Sequence, residues 1–576
     1  MKKVLIANRG EIAVRIIQAA KDYGLQSVAI YADSDCDALF VRYADEAYAL
    51  GGDTPSDTYL NIEKIIAIAK KSGADAIHPG YGFLSERSEF ARKIEEAGLI
   101  FIGPSPEVID MLGDKVEARA TAQKVGAPLV AGSDGAVNSP EEVAAFAKKY
   151  GFPLAIKAAH GGGGRGMKVV WQEADIVDSY HSAVREAVTA FGRGECYVEQ
   201  FLDRPRHVEA QIIADKHGNV VVVGTRDCSM QRRNQKLIEE APAPFLTDEQ
   251  RQRIHVSAAA ICKEAGYVGA GTVEFLLGQN GVISFLEVNT RLQVEHPVTE
   301  ETTNIDLVVE QFRIAEGLRL SIDETPQPIG HAIEFRINAE DVARGFLPAP
   351  GEITLFSAPF GAGIRIDSGV ASGSQVAPMF DSMMAKLIVR GKNREDALHR
   401  AKRALSEFAI EGVASVLPFH RLVVEHSDFT AENGFKVHTR WIETDFSAEL
   451  EMGMRAIPEP VTMKRSFIEI DGKRVSLGLP EAFLKSLGAF SLGSQAANDS
   501  IENSNEPNAV KATVPGSIRA WLVEDQTKVQ EGDAIAVMEA MKMETTIFAP
   551  ISGTLSITAL AGTVQKLGNI IGRIEA

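Results

Sequence analysis

Lys2-Lys3-Val4-Leu5-Ile6-Ala7-Asn8-Arg9-Gly10-Glu11-Ile12-Ala13-Val14-Arg15-Ile16-Ile17 decides the fold class. Residues 2–7 read as a strand, Asn8 to Glu11 as a tight turn, and Ile12, Val14, Ile16 and Ile17 as the buried stripe of a helix. Short apolar runs recur at 27–31, 76–78 and 99–102, separated by helix-like segments. That alternation predicts an α/β unit with an open parallel sheet, whose strand-end loops are the place for ligands.

Downstream the pattern changes to α+β. Pro153-Leu-Ala-Ile-Lys157 leads into the glycine cluster 161–164, followed by Arg165 and Gly166. Strand-like runs follow at 168–171, 196–199, 207–213, 220–224, 271–277 and 282–288. Residues 331–445 mix strands, the turn Pro348-Ala-Pro-Gly351 and a helix at 394–408. Residues 491–508 are rich in Ser, Asn, Ala, Glu and Gly, a linker composition, and about 18 such residues span roughly 20–25 Å. Beyond it, Val514-Pro-Gly-Ser-Ile518 resembles 549–555 and Glu531-Gly-Asp-Ala-Ile535 resembles 567–571, which predicts a pseudo-twofold β-sandwich. The domains expected are 1–113, 114–330, 331–445, a small β-containing connection 446–490, the linker 491–509 and the β module 510–576.

The 576 residues suit about four domains, and the net charge of −18 argues against a nucleic-acid-coating protein. The four cysteines form no CxxC pair, so a disulfide scaffold or thiolate zinc site is not indicated. No stretch approaches the roughly 20 apolar residues of a membrane span, and the amino terminus has no signal h-region. A cytoplasmic protein is expected.

Four features carry chemistry. Lys542, in Glu539-Ala-Met-Lys-Met543, falls at the junction of the two half-repeats, where a hairpin turn would present it. The run His160 to Met167 is flexible enough to close its N–H groups on phosphate, but it is neither a P-loop nor GxGxxG. Glu274 to Glu287 reads as a hairpin turning over Gly278 to Gly281. If partners sum to 561, Glu274 faces Glu287, a repulsive pair that a hard cation would convert into a binding site. Finally, Glu287, Asn289, Arg291, Gln293 and Glu295 occupy alternate positions, which in an extended chain share one face. A straight strand would separate the two outer glutamates by about 27 Å, so a common centre requires a bend.

These residues carry a resemblance. Lys115, Lys157 to Met167, Arg226-Asp-Cys-Ser-Met-Gln-Arg-Arg233, Glu239 to Pro244, Glu287 to Pro297 and His78-Pro-Gly-Tyr-Gly-Phe-Leu-Ser-Glu86 resemble biotin carboxylase of the ATP-grasp superfamily. The segment around Lys542 resembles the biotinylation site of biotin carboxyl carrier domains, whose lipoyl counterparts lack the flanking methionines. Together they resemble the alpha subunit of a bacterial acyl-CoA carboxylase, with a Rossmann-like domain, an ATP-grasp domain, a biotin carboxylase C-terminal domain and an all-β barrel-sandwich carrier.

The resemblance implies the following roles. Lys115, Lys157, Gly163, Gly164, Glu199, Leu202, His207 and Gln231 hold ATP, with 199–202 lining the adenine. Glu274, Glu287 and Asn289 hold Mg2+ or Mn2+, the two glutamates also belonging to the ATP site. Lys236, Arg291 and the Val294 backbone bind bicarbonate, Glu295 is the base, Arg336 serves the biotin enolate, and Lys542 carries biotin. Implied partners are a separate carboxyltransferase (beta) subunit, biotin protein ligase and further copies of the chain; pyruvate or another acceptor is an alternative substrate, and a non-catalytic carrier scaffold an alternative function. Residues 446–490 are long enough for a small β hairpin and are expected to dock a partner subunit or to pack on the carboxylase as an extension. Two residues need separate mention: Asn234 stands where the family usually has His, and Cys228 resembles a family cysteine near the site.

Overall fold

The computed structural model describes residues 1–158, 167–191, 193–432, 434–447, 450, 463–470, 473–480, 508–541 and 543–575. It divides into two compact units, Met1–Ser447 and Ala448–Ala576.

The first unit opens with the expected parallel sheet, in the order Glu46–Ala49, Gln26–Tyr31, Lys3–Ile6, Ala76–His78, Ile100–Phe101. Val4 and Ile6 enter one hydrophobic cluster with the helix Gly10–Tyr23, whereas Leu5 and Ala7 enter another with Tyr59, Phe90 and Phe380. Both faces are covered, which is why the strand is continuously apolar. Gly10, at φ +67°, makes the strand-to-helix turn. The edge strand Glu46–Ala49 is half exposed and too polar to have stood out.

An antiparallel sheet of eight strands follows, in the order Ile283–Asn289, Gly269–Leu277, Arg206–Ala214, Val220–Arg232, Gln235–Ala241, His331–Asn338, Met383–Gly391, Ile364–Ser368. Two of its features differ from expectation: the strand predicted at 220–224 runs to Arg232, and Gln235–Ala241 is an additional strand pairing back onto it. The sheet also continues from Gln235–Ala241 into His331–Asn338 without a break. On Arg206–Ala214, Val208, Ala210 and Ile212 pack into a core with the helix Asp248–Glu264, while His207, Glu209 and Gln211 alternate onto the other face. From His207 to Ile212 a two-residue period thus separates a hydrophobic underside from a polar upper face, and Ile213 returns the upper face to a hydrophobic cluster.

A separate three-stranded sheet, Met167–Val170, Leu154–Ala158, Cys196–Gln200, packs on the helices Pro140–Tyr150 and Ile176–Phe191. No described helix is long and apolar enough to cross a membrane.

In the second unit, Met463–Ile470 pairs with Lys473–Pro480 as a two-stranded ladder. Two four-stranded sheets follow: Ala509–Lys511, Ile570–Glu575, Gly553–Ile557, Lys528–Val529, and Met543–Phe548, Ala534–Ala540, Gly516–Trp521, Val564–Gln565. The half-repeats occupy equivalent places. Ile518 and Leu555 are fully buried, as are Ile535 and Ile571. A Cβ on Gly516 would strike the Glu539 carbonyl, and one on Gly553 the Glu575 carbonyl. Gly516→Ala and Gly553→Ala should each therefore destabilise this unit by about 1–3 kcal/mol. Limited proteolysis of the full chain should reveal earlier cleavage within 508–575 for both, and unchanged resistance would remove the close approach as the reason for the glycines.

Candidate active site

The polar face is organised by register. Glu287, Glu274, Glu209 and Arg226 are direct neighbours across four adjacent strands. The predicted pairing of Glu274 with Glu287 holds from Thr272 to Glu274, and a bulge shifts it by one residue from Phe275 onward. Asn289, Thr272 and Gln211 form the next row. Three carboxylates side by side repel, so cations must converge on them.

Lys236, at the start of its strand, projects among them. Its Nζ bonds Glu209, lies 3.1 Å from Glu274 Oε1 and 2.7 Å from Glu295 Oε1. The fully buried Arg226 guanidinium donates to Glu209, Gln211, Thr272, Gln293 and Thr299. Arg336 joins Glu239 at 2.5 Å to Glu295 Oε2 at 2.9 Å. His207 Nε2 lies 2.8 Å from Glu274 Oε2, and its Nδ1 lies 2.7 Å from Gln231 Nε2.

These contacts set the charges. Burial opposes ionisation of Glu295, but Lys236, Arg336 and Arg226 outweigh it and hold the carboxyl well below its usual range. Burial likewise opposes a charged Lys236, yet Glu209, Glu274 and Glu295 keep its pKa well above normal. Glu209 is pushed up to about 7 because burial, with Glu295 and Glu274 nearby, exceeds the help of Lys236 and Arg226. Burial, rather than an excess of negative charge, is thus the main reason that Glu209 sits high.

The segment Glu287 to Glu295 bends, as a common centre requires. The strand ends at Asn289, and the helix His296–Thr303 begins immediately after Glu295. Alternation onto one face consequently fails beyond Asn289. Asn289 Nδ2 and Gln293 Nε2 both donate to Glu274 Oε1, at 2.7 and 2.8 Å. Arg291 turns to Glu86, Nε to Oε2 2.9 Å, and to Asn289 Oδ1, 3.1 Å. The Val294 carbonyl accepts from Lys386 at 2.8 Å.

Lys115 begins the helix Lys115–Lys124 and sits 3.4 Å from Glu287, half exposed. One turn later Arg119 lies 3.6 Å from Glu199, which also pairs with Lys157 on the three-stranded sheet. This helix thus ties the carboxylate row to the lysine sheet. Leu202 follows that sheet and lies close to the hairpin tip, where a Cβ on Gly278 would meet its Cδ2 at 3.3 Å. Gly163, Gly164 and Lys542 lie outside the described residues; Ala540 and Met543, on either side of Met541 and Lys542, are paired strand ends.

Sequence reasoning missed Glu209 altogether, and it quoted Glu86, Arg226 and Glu239 within motifs, and Gln293 on the polar face, without giving any of the four a role. The signal available for Glu209 was the alternation of His207, Glu209 and Gln211 with Val208 and Ala210. Asn234 follows Arg233 in a two-residue turn, at φ +64° and +49°, between the paired Arg232 and Gln235. Asn tolerates this left-handed conformation well. Cys228 is buried with its thiol within 4.8 Å of Glu209 and Glu295 oxygens, and burial pushes its pKa well up, so it stays a neutral thiol.

Family models match along the chain: biotin carboxylase, N-terminal domain, at 1–109; carbamoyl-phosphate synthase L chain, ATP binding domain, at 114–323; biotin carboxylase C-terminal domain at 334–444; and biotin-requiring enzyme at 505–574. The biotin-dependent acyl-coenzyme A carboxylase alpha3 subunit of Mycobacterium leprae is 54% identical over 588 residues, covering 100% of this chain and 98% of its own. The chain belongs to the biotin carboxylases. Among solved structures, the Campylobacter jejuni biotin carboxylase complex with β,γ-ATP is 45% identical with a TM-score of 0.72, over 77% of this chain and 98% of that one. The biotin carboxylase domain dimer of Hydrogenobacter thermophilus 2-oxoglutarate carboxylase, in complex with MgADP, ADP and bicarbonate, is 44% identical with a TM-score of 0.72, over 80% and 99%.

This biotin carboxylase carries its own biotin module, and its cofactors are ATP, Mg2+ and biotin. The residues fit a divalent cation: Glu274 and Glu287 are cross-strand neighbours, and Asn289 adds an amide two residues along. Such hard oxygen donors suit Mg2+ or Mn2+, which nucleotide phosphates then complete.

Proposed function

We propose that the chain uses ATP and bicarbonate to carboxylate biotin on its own Lys542, for delivery to acetyl-CoA or propionyl-CoA on a separate carboxyltransferase subunit. One observation carries the acceptor class: an acyl-CoA carboxylase alpha subunit aligns with the whole chain, carrier included.

Lys115, Lys157, Gly163, Gly164, Glu199, Leu202, His207 and Gln231 hold ATP, and Glu274, Glu287 and Asn289 hold the metal. Bound there, the cation supplies positive charge against the phosphates. Lys236, Arg291 and the Val294 N–H receive bicarbonate, so that two cations offset the repulsion between it and the nucleotide. Glu295 takes the bicarbonate proton as its oxygen attacks the γ-phosphorus, giving carboxyphosphate and ADP. Carboxyphosphate then separates into CO2 and phosphate, the phosphate takes the proton from the biotin ureido N–H, and that nitrogen bonds to CO2. Arg336, held by Glu239 and Glu295, supplies positive charge to the biotin enolate.

The division at 113/114, 330/331, 445/446, 490/491 and 509/510 completes this reading, with 446–490 as a docking element. Biotin protein ligase modifies Lys542, and the chain works as a homo-oligomer within a larger cytoplasmic complex.

Lys542→Arg tests the carrier. Arginine stays charged and has no amine that can be acylated. The variant should contain no covalent biotin by intact mass, yet still release ADP with free biotin and bicarbonate. With the carboxyltransferase added, it should transfer no labelled carboxylate to acyl-CoA. Persistent labelling would refute the assignment of Lys542, and labelling of pyruvate in place of acyl-CoA by the parent would refute the acceptor.

A further inference from the structure

Lys386 is fully buried in the interior of its strand, a costly place for an ammonium. Glu11, Glu334 and Asp367 act on its charge, Glu11 at 3.3 Å and Asp367 at 3.9 Å, yet its short hydrogen bond, 2.8 Å, goes to none of them. It goes to the main-chain carbonyl of Val294. Charge balance and geometry are thus divided: the acids keep the ammonium ionised, and the ammonium's directional bond is spent on one peptide group.

That peptide group leads directly into Glu295. Lys386 is also the cross-strand neighbour of Arg336, and Arg336 bonds the Glu295 carboxylate itself. Two adjacent cations on neighbouring strands therefore fix the same residue from both ends, Lys386 at the backbone and Arg336 at the side chain. The ammonium further lies 6.0 Å from the centre of the Tyr81 ring, in the loop after Ala76–His78. Glu11 belongs to the first helix of the parallel sheet. Three parts of the carboxylase unit meet at this one nitrogen.

We propose that Lys386 is a positioning residue for bicarbonate activation: by holding the Val294 carbonyl it sets the direction in which Glu295 leaves the turn. The inference rests on the reading of Val294 and Glu295 as the bicarbonate site. Misplacing a reacting group by about 1 Å costs on the order of 10²-fold, and losing an orienting partner costs about 10–100-fold.

The test is steady-state kinetics of the full chain with free biotin, for Lys386→Met, Lys386→Arg and, in parallel, Glu295→Gln. Lys386→Met should lower kcat/KM for bicarbonate about 10–100-fold while KM for ATP stays within about twofold. Lys386→Arg, which keeps the charge and a donor, should recover part of that loss. If both kinetic constants for ATP and bicarbonate deteriorate together, or if kcat/KM for bicarbonate is unchanged in Lys386→Met, the positioning role is wrong. If Lys386→Met does not fold, Lys386→Arg is read by the same bicarbonate-to-ATP ratio, and an unchanged ratio overturns the proposal. Full activity in Glu295→Gln would instead refute the underlying site reading.

Discussion

Replacing Glu295 with Gln is expected to lower kcat/KM for bicarbonate about 10²–10⁴-fold, which is about 3–5 kcal/mol of barrier. Glu295 is 2% exposed and presents one oxygen to Lys236 and the other to Arg336. Gln keeps the shape but has one acceptor for two cations, and its amide turns a donor toward the other. More important, it cannot accept a proton. A carboxylate held so far below its usual range is fully ionised but is a weak base while both cations are its own. On the proposed reading, bicarbonate docking at Lys236 would compete for that cation and so raise the basicity of Glu295 when it is needed. Bicarbonate-dependent ADP release should therefore collapse while KM for ATP changes less than about twofold, because no nucleotide-binding group is removed. A loss under tenfold would place the base elsewhere.

The distribution of what was readable follows from sequence distance. The hairpin carrying Glu274 and Glu287 is local, so glycines at its tip and a two-residue period were enough to place the two carboxylates opposite each other. The first parallel strand was legible because burial on both faces leaves a continuous apolar run. The bend after Asn289 was demanded by the distance between Glu287 and Glu295, yet nothing between Thr290 and Val294 marks it: no glycine or proline interrupts that stretch. It is imposed from outside, by Glu86 on Arg291, 205 positions away in the chain, and by Lys386 on Val294, 92 away. Glu209 escaped notice for the same reason. A charged residue alternating with apolar ones reads as the wet face of a strand, and only the convergence of Lys236, Gln211, Thr272 and Gln293 makes that face an interior one. Likewise, strand period cannot reveal that Gln235–Ala241 pairs with His331–Asn338 and carries the sheet past residue 330.

Lys236→Met should be the most damaging single change to both stability and turnover. The ammonium sits among Glu209, Glu274 and Glu295, and Arg226 and Arg336 alone cannot neutralise them. Removing one partner from a buried ionic cluster costs about 3–5 kcal/mol, because the charges left behind remain desolvated. The pH dependence identifies the cause. Glu209 titrates near 7 in the folded chain against an ordinary 4.5, so between those values the folded state binds more protons than the unfolded one. Stability from this group then rises as pH falls through that window. Without Lys236, Glu209 is pushed higher still, and Glu274 and Glu295 lose a cation that holds them low, so the cluster takes up more protons and acidification relieves the variant more than the parent. Denaturant unfolding should reveal a large deficit near pH 7 that narrows toward pH 5, with loss of bicarbonate-dependent turnover at both. Lys236→Arg separates charge from shape: its planar fork keeps the charge but cannot bond three carboxylates arranged around a point. It should regain most of the stability while remaining poorly active. A deficit independent of pH would instead mean that methionine had disturbed packing, and the cluster would not be the reason lysine is needed there.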